Sequence, residues 1–126
     1  EKRRTDNEDH TEALNLIGDV NGRDVLIIDD EIDTGGSIVE AVTEARANGA
    51  RDIYVVFIHP VLSANAAERL AALPVKHFTT TNSIPMPDEK LKLFGNRLTI
   101  LSIGPLLGEV IKRANEGTSV GAMFNE

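Results

Sequence analysis

The chain has 126 residues, enough for one domain around one hydrophobic core, and its 41% hydrophobic and 26% charged residues are ordinary for a globular protein. A net charge of −7 argues against a nonspecific grip on nucleic acid or anionic membrane, and four Phe with one Tyr leave no stacking platform for bases. The absence of cysteine excludes disulfides, thiolate metal sites and cysteine nucleophiles; no apolar run nears the roughly 18 residues of a membrane span, no signal-peptide h-region is visible, and a cytoplasmic location is expected.

The chain opens on a basic cluster, Lys2-Arg3-Arg4, followed by the acidic Asp6, Glu8 and Asp9, with no core element before them. That pattern fits a loop cut open, as in a fragment or an isolated domain. Residues 13–17, with the turn formers Gly18-Asp19 and Asn21-Gly22, predict a short strand and a turn. Residues 25–28 (Val-Leu-Ile-Ile) form a continuous apolar run, expected of a strand covered on both faces of a parallel sheet. After Gly35-Gly36, the residues Ile38, Ala41, Val42 and Ala45 recur at helical spacing until Asn48-Gly49 stops the helix. Residues 53–58 predict the next buried strand.

Ser63 is placed to cap a helix that carries Ala66, Ala67, Leu70 and Ala71 inward. Residues 75–79 predict a third, shorter strand, and 82–88 a loop rich in turn formers. Residues 98–101 predict another strand. Pro105 then stands in the first turn of a last helix, whose apolar stripe is Leu106, Leu107, Val110, Ile111 and Ala114. Strands alternating with helices imply right-handed crossovers and an α/β fold with an open, mostly parallel sheet flanked by helices, in a single domain over 1–126.

Ligands of such sheets bind beyond the carboxyl ends of the strands. Asp29 and Asp30 fall at such an end, and Asp33-Thr34-Gly35-Gly36-Ser37 follow at once. Glycines there permit φ > 0 and a close approach, the hydroxyls add donors, and the next helix offers its positive end to an anion. Carboxylates accept hydrogen bonds from vicinal hydroxyls and can orient Mg²⁺ through water. The pattern therefore calls for a ligand with a phosphate at one end and a diol at the other. Each feature alone could be a solvated turn or a helix entry; the whole arrangement is harder to dismiss. A P-loop needs a lysine after its glycines, and none follows here. A calcium loop from Asp29 would put Thr34 where its sharp turn needs glycine. His59, after a buried strand, reads as structural before it reads as a ligand or base, while Asn82 and Ser83 end a strand on the same side of the sheet.

At these residues the sequence resembles the phosphoribosyl-diphosphate-binding motif of the phosphoribosyltransferase fold. Lys2-Arg3-Arg4, residues 15–20 (Asn-Leu-Ile-Gly-Asp-Val), 59–63 (His-Pro-Val-Leu-Ser), 81–85 (Thr-Asn-Ser-Ile-Pro), 104–107 (Gly-Pro-Leu-Leu) and 119–124 (Ser-Val-Gly-Ala-Met-Phe) extend the likeness. Together they resemble the C-terminal half of the ribose-phosphate pyrophosphokinases, or phosphoribosyl-diphosphate synthetases, over essentially the whole chain. That family transfers the diphosphoryl group of ATP to the anomeric hydroxyl of ribose 5-phosphate, using Mg²⁺.

The resemblance implies that Asp33, Thr34, Gly35, Gly36 and Ser37 cradle the 5-phosphate. Asp29 and Asp30 would face the ribose hydroxyls and the metal shell. Lys2 and Arg4 match the basic residues of a mobile catalytic loop, of which 1–10 would be a remnant. Ser119 matches a residue of a regulatory phosphate or ADP site, although Gly121 stands where many regulated members have a second serine. ATP would be held mostly by an N-terminal half outside this chain, so the fragment alone is expected to be inactive, and a homo-oligomer is expected. Two other functions stay open. One is a phosphoribosyltransferase that consumes phosphoribosyl diphosphate, for which no base-binding hood is visible. The other is a non-catalytic regulatory homologue, for which an eroded motif would speak.

Overall fold

Strands form where Val, Ile and aromatic residues run together, because branched side chains fit the pleated surface of a sheet. The computed structural model describes residues 16–124. Its strands are β1 (Val25–Glu31), β2 (Ile53–His59), β3 (His77–Thr81) and β4 (Leu98–Leu101). They make one parallel sheet in the order β1-β2-β3-β4, so the expected α/β architecture is present. The helices α1 (Gly36–Ala47), α2 (Ala66–Ala71) and α3 (Asp88–Phe94) connect successive strands, and α4 (Gly104–Glu116) follows β4.

Each connection steps one strand onward in the same direction. Crossovers of one hand that advance one way place all their helices on one face of the sheet. That face carries the core. Ile53, Val55 and Phe57 of β2 and Phe78 of β3 are fully buried against Ile38, Val42 and Ala45 of α1, Ala66, Ala67 and Leu70 of α2, and Phe94 of α3. Phe78 and Phe94 meet edge to face, their centroids 5.2 Å apart. Burying an aromatic or large aliphatic side chain of this kind stabilises the fold by about 1.5–3 kcal/mol. At the opposite end of the strands from their carboxyl termini, Arg51 pairs with Asp24 at 2.7 Å, and its hydrogen bond holds the Asp24 carboxyl below the ordinary range.

The described residues leave the opposite face of β1 exposed. Strand alternation puts Leu26 and Ile28 of β1 on it, and they are 56% and 70% exposed. The expectation that residues 25–28 are covered on both faces is therefore corrected: among the described residues only one face of β1 has helices over it. The stripe on α4 differs in the same sense. Leu106, Leu107 and Ile111 are exposed, and no residue of α4 is buried.

Three local expectations also change. Ser63 does not cap α2. Asn65 holds the cap position without a capping side-chain bond, and Ser63 stands two residues before it, in a turn where its N–H donates to the Asp33 carbonyl. The third strand runs two residues later than expected. Leu16 and Ile17 form no strand, though the turn beyond them is present, closed by the Arg23 N–H on the Val20 carbonyl at 3.0 Å. Residues 13–15 lie outside the described residues. Helix α3 stands where no element is expected; it buries Phe94 and half-buries Leu91, three residues apart on one face.

Candidate functional site

β1 continues past its apolar run through Asp29 and Asp30 to Glu31, so the two carboxylates stand at its carboxyl end. Alternation places Asp29 beside buried Phe57 on the helix-covered side and Asp30 on the open side. Each accepts one main-chain hydrogen bond at Oδ1, Asp29 from the Asp30 N–H at 2.9 Å and Asp30 from the Glu31 N–H at 3.0 Å. The second oxygen of each carboxylate is not used by these bonds. Burial pushes the Asp29 carboxyl above its usual range, and the neighbouring Asp30 carboxyl pushes it further.

Ile32, 2% exposed, then plugs into the core and anchors the turn. Asp33 and Thr34 follow, and Gly35 turns the chain into α1 with a left-handed backbone, φ 77°. A side chain at that φ is strained, so glycine is the natural residue. Gly35 brings no side chain to cap α1, and the helix's first turn contains no acid. The helix therefore presents its positive end and its N-terminal N–H groups without an internal counter-charge. Residues 29–38 line a single cleft of about 330 Å³.

All seven residues expected to meet ribose 5-phosphate line this cleft: Asp29, Asp30, Asp33, Thr34, Gly35, Gly36 and Ser37. Their closeness follows from their being consecutive. The cleft wall also includes Glu31, a carboxylate not among the expected ligand-binding residues. Lys2 and Arg4 lie outside the described residues. Ser119 follows α4, where its hydroxyl oxygen accepts the Ala122 N–H at 3.3 Å.

His59 has a defined partner. Its Nδ1 lies 2.9 Å from the Ser83 hydroxyl, which in turn donates to the Ile58 carbonyl at 3.0 Å. One hydroxyl proton cannot serve both, so His59 carries its proton on Nδ1 and donates to Ser83. Asn82 accepts the Ile103 N–H at 2.9 Å and ties the end of β3 to the start of α4. Both residues thus have structural work at the carboxyl edge of the sheet.

Among the described residues no group of three or more His, Asp or Glu side chains converges as a metal centre. The oxygen donors of Asp29 and Asp30 fit a hard cation that takes one or two carboxylates and completes its shell with water and phosphate. Among the same residues no helix is long and apolar enough to cross a membrane.

A family model, the phosphoribosyl synthetase-associated domain, matches residues 5–125. The chain belongs to that family. It is 45% identical over 109 residues to a ribose-phosphate pyrophosphokinase of Deinococcus radiodurans, a match covering 86% of this chain and 34% of that protein. Against the ribose-phosphate pyrophosphokinase of Bacillus subtilis it is 42% identical over 114 residues, 90% of this chain and 35% of the relative. The phosphoribosylpyrophosphate synthetase of Mycobacterium smegmatis is similar in structure, with a TM-score of 0.75 and 40% identity over 80% of this chain and 33% of that one. This member of the phosphoribosyl synthetase-associated domain family thus spans about a third of the length of the curated relatives it matches.

Proposed function

We propose that this chain supplies the ribose 5-phosphate half of a ribose-phosphate diphosphokinase. The observation that carries the reading is one cleft with paired carboxylates at one end and an uncapped helix start behind a glycine turn at the other. Asp33, Thr34, Gly35, Gly36 and Ser37 hold the 5-phosphate through main-chain N–H groups and hydroxyls. Asp29 and Asp30 accept hydrogen bonds from the ribose hydroxyls and fix the sugar's anomeric oxygen for attack on the β-phosphorus of ATP. The diphosphoryl group passes to that oxygen, the hydroxyl proton is lost, and AMP leaves. Mg²⁺, when bound, neutralises charge on the phosphates, and Asp29 and Asp30 are the residues that would orient it. Lys2 and Arg4 are proposed to stabilise the charge that builds on the transferring group.

Most contacts to ATP are assigned to the part of the relatives' length that this chain does not span. Association into a homo-oligomer and a phosphate or ADP effector at Ser119 belong to the same proposal. The Ser119 hydroxyl accepts a bond in its turn and keeps its own proton to donate. Calorimetric titration of the chain with ribose 5-phosphate and Mg²⁺ tests the site directly. Binding is expected for wild type and a large loss for Asp30→Ala, which removes a carboxylate assigned to the ribose hydroxyls from the open side of β1. No heat from wild type would overturn the assignment.

A further inference from the structure

Three successive carbonyls of the turn between β1 and α1 are claimed by one neighbouring segment. The Ile32 oxygen accepts the Leu62 N–H at 2.9 Å, the Asp33 oxygen the Ser63 N–H at 3.0 Å, and the Thr34 oxygen an Arg69 guanidinium N–H at 3.1 Å. All three donors come from residues 62–69, the turn after β2 and the helix α2. In a trans, planar peptide the C=O and the following N–H point in opposite directions, and the described residues contain no cis bond. Turning the carbonyls of 32–34 toward residues 62–69 therefore turns the N–H groups of Asp33, Thr34 and Gly35 the other way. Successive N–H groups turned to one side are what an anion-binding nest requires.

The donating segment is itself held in an unfavourable shape. Leu62 and Ala64 both have left-handed backbones, φ 47° and 49°, which residues with a Cβ seldom adopt. Lys90 of α3 secures this turn by donating to the Leu62 carbonyl at 2.6 Å. The strain falls beside the two N–H groups, of Leu62 and Ser63, that must reach the anion turn.

We infer that residues 62–69 are the mould of the anion turn and that Arg69 is a positioning residue for it. The inference rests on the ribose 5-phosphate reading for its ligand. Arg69 is the one donor of the three supplied by a side chain, so its contribution can be removed without altering the backbone. A cationic donor on the Thr34 carbonyl also polarises the peptide it shares with Gly35, which strengthens the Gly35 N–H as a donor to phosphate.

The test compares wild type, Arg69→Met and Arg69→Lys. Ribose 5-phosphate and, separately, inorganic phosphate are titrated well below each protein's melting temperature, and the Gly35 amide is followed by NMR. Arg69→Gln serves as the second truncation if Arg69→Met does not fold. Arg69→Met is expected to bind both probes about tenfold more weakly, the loss of a charge-assisted hydrogen bond, with part recovered in Arg69→Lys. Its Gly35 amide signal should move before ligand is added, while those of Val55 and Phe78 in the core stay in place. A lower melting temperature with unchanged affinity and an unmoved Gly35 signal would make Arg69 merely structural and overturn the inference, leaving the sugar-phosphate site standing. Wild type binding inorganic phosphate but not ribose 5-phosphate would overturn the sugar reading, and the Arg69 comparison would then be decided on the phosphate arm. Wild type binding neither would overturn both.

Discussion

Ala64 and Asp29 carry strain of two kinds, one in the backbone and one in charge. Ala64 holds a left-handed φ of 49° in an exposed turn. Ala64→Gly removes the Cβ clash and adds freedom to the unfolded chain, and these partly offset to a net gain of about 0.5 kcal/mol. A urea midpoint that stays put or falls would place the strain elsewhere. Asp29 is held above its ordinary pKa by burial and by the adjacent Asp30. A raised carboxyl binds its proton more tightly in the folded state, so stability falls as pH rises from the unfolded value through the folded one. Above that window the ionised Asp29 opposes folding; below it the effect is gone. Asp29→Asn should therefore melt higher than wild type at pH 7, and the gap should close in acid. An equal gap at both ends of the pH range would mean that charge is not the cause. The same substitution should abolish ribose 5-phosphate binding, so stability and binding pull in opposite directions at this carboxylate.

Arg97 knits three elements together. Its guanidinium donates to the carbonyls of Ala71, Leu73 and Val75 at 2.6, 3.3 and 3.0 Å, and it lies 6.0 Å from the Phe78 ring centroid. It thereby serves the C-terminal end of α2 and the loop that leads to β3. Arg97→Met keeps the stem and loses the donors, with an expected cost of about 2 kcal/mol in a denaturant titration. A change below measurement error would show that water replaces all three bonds. Nothing near Arg97 in sequence announces this role, since the carbonyls it serves stand more than twenty residues away. The contrast with β1 and α1 is instructive. There the strand, the carboxylates, the glycine turn and the helix are consecutive, so chain order alone assembles the cleft. Helix α3 is not legible in the sequence, because Lys90 and Lys92 interleave with Leu91 and Leu93 and the Pro85-Met86-Pro87 stretch before it reads as loop. Ser63 fails as a cap because α2 starts only at Ala66, which leaves Asn65 in the cap position and Ser63 in a turn held by its N–H on the Asp33 carbonyl, a contact that only tertiary structure reveals. Arg69 lies 35 residues from Thr34 and carried no local signal.

The one-way order of the strands governs the whole molecule. Every connecting helix falls on one face, so apolar periodicity shows which residues share a side but not whether that side is covered. Leu26, Ile28, Ile58 and Leu101 of the open face are all exposed, as are Leu106, Leu107 and Ile111 of α4, and exposed apolar side chains grouped on one sheet face are where a hydrophobic probe binds. The chain should bind the dye ANS while its near-UV signal remains native, and Ile28→Lys should reduce that binding without unfolding it. Silence from the dye on wild type would mean that the face is shielded in solution. The bare face also changes what a melting temperature means for this protein. A partner that covered Leu26 and Ile28 in the folded state alone would add RT ln(1 + [L]/Kd) to the chain's stability. The midpoint would then depend on the concentration of that partner, with the solitary chain at the floor of the range.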